Sequence, residues 1–271
     1  MTVLITGATG LVGSRLLPRL IDAGIDCRAM VRVGKSLPPG VTAVEGDLLA
    51  PGSLRQAVDG ISAVVHLAAV LRTPDTDQIR HVNLDGTANL VESVRTHAPH
   101  ARVIMASTGL VYGPDLPRPA REDDRVNPTM PYPASKLEAE RVLRRSGLTW
   151  SILRLGFVYG DGDGHLHSAP QLLGSWQWHP AQTLSLVHHR DVATAVLLAL
   201  TGATDGRVVN IVDDGPASVY DIARLVGADY LETAEPLTNP WNGHLDGSLA
   251  RSLGFRPSVA TMYQASADDA V

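Results

Sequence analysis

Cysteine is nearly missing from this 271-residue chain: Cys27 stands alone, which excludes an intrachain disulfide and the stapled architecture of small secreted domains. Cys27 falls in an expected strand and reads as a small buried hydrophobe. Blocks of like charge are also missing. The formal net charge is −5 and the basic residues are scattered, so neither nucleic acid nor an anionic membrane surface is an expected partner. A run of about 18 apolar residues, the length that crosses a bilayer, is absent. So is a basic segment followed by an apolar one after Met1, the pattern of a secretory signal, and a cytoplasmic protein is the expectation. There is no internal repeat and no low-complexity tract.

What is present is apolar residue, 44% of the chain, enough for one large domain or one domain plus a small lobe. Short β-rich runs occur at Val3–Thr6, Cys27–Val31, Val41–Val44, Ala63–Leu67, Arg102–Ala106, Trp150–Leu153 and Arg207–Val212. Helical spacing separates them, as in Leu11–Ala23 and at Ile79, Val82, Gly86, Leu90 and Val94, where Gly86 is expected to let the helix approach the sheet. Such alternation implies parallel strands joined by crossover helices. Regularity fails over 113–131, which carries five prolines and reads as a loop, and over 160–186, where glycines, histidines, Trp176 and Trp178 show no clear period. The expected division is a dinucleotide-binding domain over 1–159, rejoined by 187–214, and a small substrate lobe from 160–186 and 215–271.

The strongest motif is Thr6-Gly7-Ala8-Thr9-Gly10-Leu11-Val12-Gly13, which ends a strand and opens a helix. Gly7 permits the tight turn, Gly10 removes a side chain where backbone meets a pyrophosphate, and Gly13 lets helix and strand pack closely. The phosphates then lie on the helix N-terminus, over Thr9, Leu11 and Val12, where free N–H groups and the helix dipole favour anions. The fold class expected is therefore α/β, a Rossmann doubly wound, mostly parallel sheet with a small C-terminal substrate lobe. The second strand ends in Arg32, with Lys35 three residues on, where an NAD-binding chain would offer a carboxylate to the adenosine ribose. A guanidinium meets a 2′-phosphate through paired hydrogen bonds, so NADP is the expected cofactor and NAD the alternative. Asp47 and Leu48 follow the third strand as a candidate adenine contact, and the small residues after His66, in Leu67-Ala68-Ala69, leave room for a cofactor over the strand ends.

Tyr132 and Lys136, four residues apart, share one face of a helix whose first turn must hold Pro131 or Pro133. A phenol titrates near about 10, too high for base work at neutral pH, and a nearby ammonium lowers that value. Upstream, Ser107 and Thr108 end the fifth strand, where a hydroxyl can donate to a carbonyl oxygen that gathers negative charge.

These motifs resemble the extended short-chain dehydrogenase/reductases, the NAD-dependent epimerase/dehydratase-like branch. The likeness runs through TGATGLVG at 6–13, GDL at 46–48, HLAA at 66–69, HVNLDGTANL at 81–90, ASTGLVYG at 106–113, YPASK at 132–136, LRLGFVYG at 153–160, VHHRDVA at 187–193 and SLARSLGFRPS at 248–258. It implies Tyr132 as acid/base, Lys136 as the group that lowers its pKa and holds the nicotinamide ribose, and a mainly structural Asn83. Thr108 takes the place of the hydroxyl four residues before the Tyr of VYG, Tyr112, with Ser107 the alternative.

The chain departs from the sugar-nucleotide epimerases in length and in having Leu184 near where an arginine grips substrate pyrophosphate. The 160–186 stretch holds no Lys or Arg, while Trp176, Trp178, Leu172 and Leu173 offer an apolar wall. A small or medium, largely apolar carbonyl or alcohol is the expected substrate. A cation could still arrive from Arg118, Arg121 or Arg251. The alternatives are a sugar-nucleotide epimerase/dehydratase and a non-catalytic NADP-binding redox sensor. The intact Tyr132/Lys136 pair argues against the sensor. His165, His167, His179, His188 and His189 lack the spacing of metal ligands, so no metal is expected, and a homodimer is left open.

Overall fold

The computed structural model describes the whole chain except Val33, Lys35, Ser36, Leu231, Glu232 and Ala234. Seven strands form a parallel sheet: β1 (Thr2–Thr6), β2 (Asp26–Val31), β3 (Thr42–Glu45), β4 (Ala63–His66), β5 (Arg102–Thr108), β6 (Trp150–Leu155) and, after three short strands, β10 (Arg207–Ile211), in the order β10-β6-β5-β4-β1-β2-β3. All seven were expected from the apolar runs. The chain winds outward from β1 in one direction and then, through β4, in the other, so a crevice opens at the carboxyl ends of β1 and β4.

Both faces of the sheet are covered, because alternate side chains of each strand point opposite ways. Val3 and Ile5 pack with Leu16, Leu17 and Leu20 of α1 (Leu11–Asp22) and with Val192 and Val196 of α7 (His189–Leu200). Leu4, between them, faces the other layer: α2 (Pro51–Val58), α4 (Gly86–His97) and α5 (Pro131–Arg144). The helix expected from Ile79 to Val94 runs unbroken through α3 (Thr76–Arg80), a π-helical turn at His81–Asp85, and α4. Gly86 opens α4, and a Cβ there would lie 3.0 Å from the Cβ of Leu48. The glycine therefore makes room for the loop after β3, not for the sheet.

A separate apolar cluster joins Tyr159 and Leu186 to Leu166, Ala169 and Leu173 of α6 (His165–Ser175), Ile222 of α8 (Val219–Val226) and Met262 of α10 (Met262–Ala267). Around it lie β7 (Phe157–Tyr159) paired with β9 (Leu186–His188) and β8 (Thr183–Leu184) paired with β11 (Ala217–Ser218), while α9 (Ser248–Ser252) packs through Ala250 into the core of the main sheet. The 160–186 stretch is thus not aperiodic. Leu166, Ala169, Pro170 and Leu173 bury one face of α6, a pattern masked by Pro170 and by poor helix formers such as Gly174. The expected loop over 113–131 is a loop up to Met130, with Pro131 already in α5, and it is tied down by bridges from Tyr112 to Val126 and from Ala120 to Leu245.

Candidate active site

A cleft of about 940 Å³ opens over the carboxyl ends of β1, β4, β5 and β6. At one end the glycine turn forms its floor. Gly7 has φ +69°, and a Cβ on it would come within 2.6 Å of the Ala68 nitrogen. A Cβ on Gly13 would come within 2.2 Å of the Gly7 carbonyl oxygen, which already accepts from Gly10 N–H at 3.0 Å. These two positions are glycine by contact. The turn leaves Thr9, Gly10, Leu11 and Val12 lining the cleft at the start of α1, with no side-chain cap on that helix. A dinucleotide phosphate fits such an N-terminus, whose N–H groups point into open space.

Leu67, Ala68 and Ala69 form the adjoining wall, and Arg32, Asp47 and Leu48 line the same end. Arg32 is exposed at the end of β2. Asp47 accepts the Leu49 N–H at 2.8 Å, which sets its carboxylate in a turn. Lys35 lies outside the described residues.

A buried polar relay ties the floor of the cleft to helix α5, and no sequence motif announces it. Thr87 Oγ1 donates to the Asn83 carbonyl at 2.6 Å, so its oxygen accepts from His66 Nε2 at 2.9 Å. His66 Nδ1 is then the acceptor for Thr6 Oγ1 at 2.7 Å. Burial, helped by the Lys136 charge, pushes His66 down to about 3, so this imidazole stays neutral. In the π-helical turn, Asn83 accepts the Val70 N–H at 2.7 Å and donates to the Val70 carbonyl at 2.9 Å and to Ser135 Oγ at 3.0 Å. One amide therefore fixes the loop after β4 against the first turn of α5.

Pro131 sits in that first turn, which brings Tyr132 and Lys136 to the cleft beside Thr108. Thr108 caps a short 3₁₀ turn at Gly109–Val111, its hydroxyl accepting the Leu110 N–H at 3.2 Å. Ser107 is committed elsewhere: its hydroxyl donates to Glu140 at 2.5 Å. Glu140 also binds Arg154 of β6 through contacts of 3.1 and 2.7 Å, and the Arg154 guanidinium lies 4.8 Å from the centre of the Tyr112 ring. Burial pushes Lys136 down to about 8, partly opposed by the Glu140 carboxylate one turn on. Burial holds Tyr132 up at about 12, because a phenolate loses more solvation there than a phenol does. At neutral pH this side chain carries its proton.

Beyond Tyr132 the walls turn apolar: Leu110, Met130, Phe157, Leu172, Trp176, Trp178 and Leu245. Trp176 and Trp178 do not alternate along a strand. Trp176 ends α6, Gln177 turns back at φ +56°, and the two indoles pack at 6.3 Å. Both stand half-buried between the cleft and a neighbouring cavity of about 490 Å³ that also touches His179, Gln182 and Asn239. A Cβ on Gly243 would meet the Trp178 ring at 2.6 Å. The three arginines named as sources of charge for the cleft are paired outside it: Arg118 with Asp124 at 2.7 Å, Arg121 with Asp246 at 2.9 Å and Arg251 with Asp214 at 2.6 Å. Arg190 stands 3.9 Å from Asp161, while the neighbouring Asp191 accepts from Ser258 and Val259. A different arginine, Arg72 in the loop after β4, lines the cleft, and the sequence reading had not singled it out.

The fold and this site define a nicotinamide-dinucleotide-dependent enzyme of the extended short-chain dehydrogenase/reductase type. Residues 3–212 match the model of the NAD dependent epimerase/dehydratase family, and the chain belongs to that family. It is 34% identical over 176 residues to D-erythronate dehydrogenase of Cupriavidus necator, a match spanning 57% of this chain and 54% of that enzyme. It is 30% identical to a 3-beta-hydroxysteroid dehydrogenase of Mycolicibacterium neoaurum, over 83% of this chain and 69% of the other. Among solved structures, MoeE5 in complex with UDP-glucuronic acid and NAD superposes with a TM-score of 0.82 at 27% identity, covering 98% of this chain and 97% of that one. No helix among the described residues is long and apolar enough to cross a membrane.

Proposed function

We propose that this chain is an NADP(H)-dependent oxidoreductase acting on a small to medium, largely apolar carbonyl or alcohol. The observation that carries the reading is the composition of the cleft beyond Tyr132, where aromatic and aliphatic walls meet a phenol and a hydroxyl at one end. Bound nicotinamide would supply or accept the hydride at that end. Gly7, Thr9, Gly10, Leu11 and Val12 would hold its phosphates, Asp47, Leu48, Leu67, Ala68 and Ala69 the adenine end and the strand-end floor, and Arg32 with Lys35 a 2′-phosphate. Tyr132 would give its proton to the carbonyl oxygen in reduction and take it back in oxidation. Thr108 would donate to the same oxygen, and Lys136 would hold the ribose and favour the phenolate when it forms. On this reading 160–186 and 215–271 act as the substrate lobe on a domain formed by 1–159 and 187–214. A relative that is a steroid dehydrogenase supports an apolar substrate.

A sugar-nucleotide epimerase is the second reading. It is favoured by the neighbouring cavity beside His179, Gln182 and Asn239, and by the likeness to a protein that binds UDP-glucuronic acid. Following NADPH and NADH oxidation with aromatic and aliphatic aldehydes and ketones, and product formation from UDP-, dTDP- and GDP-sugars in the presence of NAD, separates the two. Turnover of carbonyls with NADPH preferred, and that preference lost in Arg32→Ala, is the expected result. Conversion of a nucleotide sugar with every carbonyl inert would promote the epimerase.

A further inference from the structure

The substrate half of the cleft has apolar walls, yet a guanidinium stands in it. Arg72 follows β4 by six residues, beside Val70 and Leu71, and reaches across to His165 at the start of α6. The His165 tautomer is set from behind. Its Nδ1 donates to the Val158 carbonyl at 2.8 Å, and its ring stacks on Phe157 with centroids 4.5 Å apart. Nε2 therefore presents a lone pair, and Arg72 Nη2 donates to it. Burial, with the Arg72 charge among the lesser contributors, moves His165 down from its ordinary value, which keeps the ring neutral.

Arg72 is thus aimed by a partner that does not cancel its charge. The nearby carboxylate, Asp163, is spent on His189 at 2.8 Å, with both side chains 1% exposed. Among the described residues lining the cleft, Asp47 is the one carboxylate, and it lies at the Arg32 end. A guanidinium carries five N–H donors, and a single lone pair occupies one of them.

Resting on the oxidoreductase reading above, we propose that Arg72 is a specificity-determining residue that selects substrates carrying a carboxylate on an apolar body, that is, oxo acids or their hydroxy-acid counterparts. The ligand chemistry is an anionic oxygen pair, which a guanidinium binds with two parallel hydrogen bonds. A carboxylate and a phosphate share that chemistry. Charge favours the carboxylate: it is a monoanion, matched by one arginine, whereas a diphosphate brings two charges to a half-cleft with one guanidinium among its described residues. Phe157, Leu71 and Val70 line the cleft beside Arg72, so an apolar body can pack against them while its carboxylate meets the exposed guanidinium.

The test compares matched ligands on the wild-type enzyme, Arg72→Met and Arg72→Lys, each saturated with oxidised cofactor. Benzoylformate and 3-benzoylpropionate carry a carboxylate at two distances from the carbonyl; acetophenone and butyrophenone are their neutral partners. UDP and inorganic diphosphate probe the phosphate alternative. Dissociation constants are read by calorimetry on these oxidised-cofactor complexes, and kcat/KM by absorbance in separate assays with reduced cofactor. The wild type should bind at least one oxo acid about 10- to 100-fold more tightly than its neutral partner. That ratio should fall to within about threefold of one in Arg72→Met and lie between in Arg72→Lys, whose ammonium keeps the charge without the fork. A wild type that prefers neither member of a pair, or a ratio unmoved by Arg72→Met, overturns the assignment. So does Arg72-dependent binding of UDP or diphosphate that exceeds that of both oxo acids. Arg72-dependent binding of an oxo acid without turnover of any carbonyl supports the assignment and sinks the oxidoreductase reading alone.

Discussion

Burial sets the acid–base character of several side chains, and Asp213 shows the cost. It is 5% exposed, one carboxylate oxygen accepts the Gly215 N–H at 3.1 Å, and the other has no hydrogen-bond partner among the described residues. Tyr159 close by is fully buried with a hydroxyl that is also without one, and Asp213 adds to the burial that raises the phenol. Burial pushes Asp213 up to about 8, with Asp214 and Asp191 adding to it. The folded state then keeps a proton that the unfolded chain releases above about 4. Stability from this group is complete at low pH and drains away as pH rises toward 8, by at most about 1.4 kcal/mol per pH unit. Asp213→Asn removes that drain and offers an amide donor to the Tyr159 oxygen. Its melting temperature should gain on the wild type between pH 5 and pH 8.5, by about 2–4 °C for each kcal/mol. A constant offset across that range would show that Asp213 ionises normally in the fold.

At the scale of elements, helix α5, which carries Tyr132 and Lys136, is held to the sheet by charge as well as by packing. Glu140 of α5 and Arg154 of β6, 1% and 3% exposed, form a buried pair that also engages Ser107 at the end of β5. Removing one partner leaves the other charged and unsolvated. Arg154→Met should cost on the order of 3–5 kcal/mol in urea unfolding, and adding Glu140→Leu should restore a large part of it. Equal losses in the single and double variants would mean that the pair contributes packing alone. Local signals made much of this architecture legible: seven apolar runs, a glycine turn at 7–13, and a Tyr–Lys pair behind a proline. Each depends on residues within one element. The Glu140–Arg154 pair, the Asn83 clamp on Val70 and Ser135, and the reach of Arg72 to His165 join residues 13 to 93 positions apart, and no periodicity announces them. Helix α6 escaped for a different reason. Its buried stripe is regular, but Pro170 and Gly174 are punctuation in a one-dimensional reading and are tolerated when a helix packs against neighbours.

Across the whole molecule, the sheet brings parts from distant stretches of chain to one crevice. The glycine turn comes from the first thirteen residues, the phenol and ammonium from α5, and the apolar walls from Leu110 and Met130 together with residues after 150. The central claim is that this crevice moves a hydride and that Tyr132 carries the accompanying proton. Tyr132→Phe tests it most directly, because the ring still packs while the hydroxyl is gone. Turnover of the best carbonyl found with the wild type, and cofactor binding by fluorescence titration, should be measured on the same preparation. Loss of turnover by at least about a hundredfold, with the cofactor dissociation constant within about threefold of the wild type, is the expected result. A Tyr132→Phe enzyme that keeps most of its turnover would contradict it.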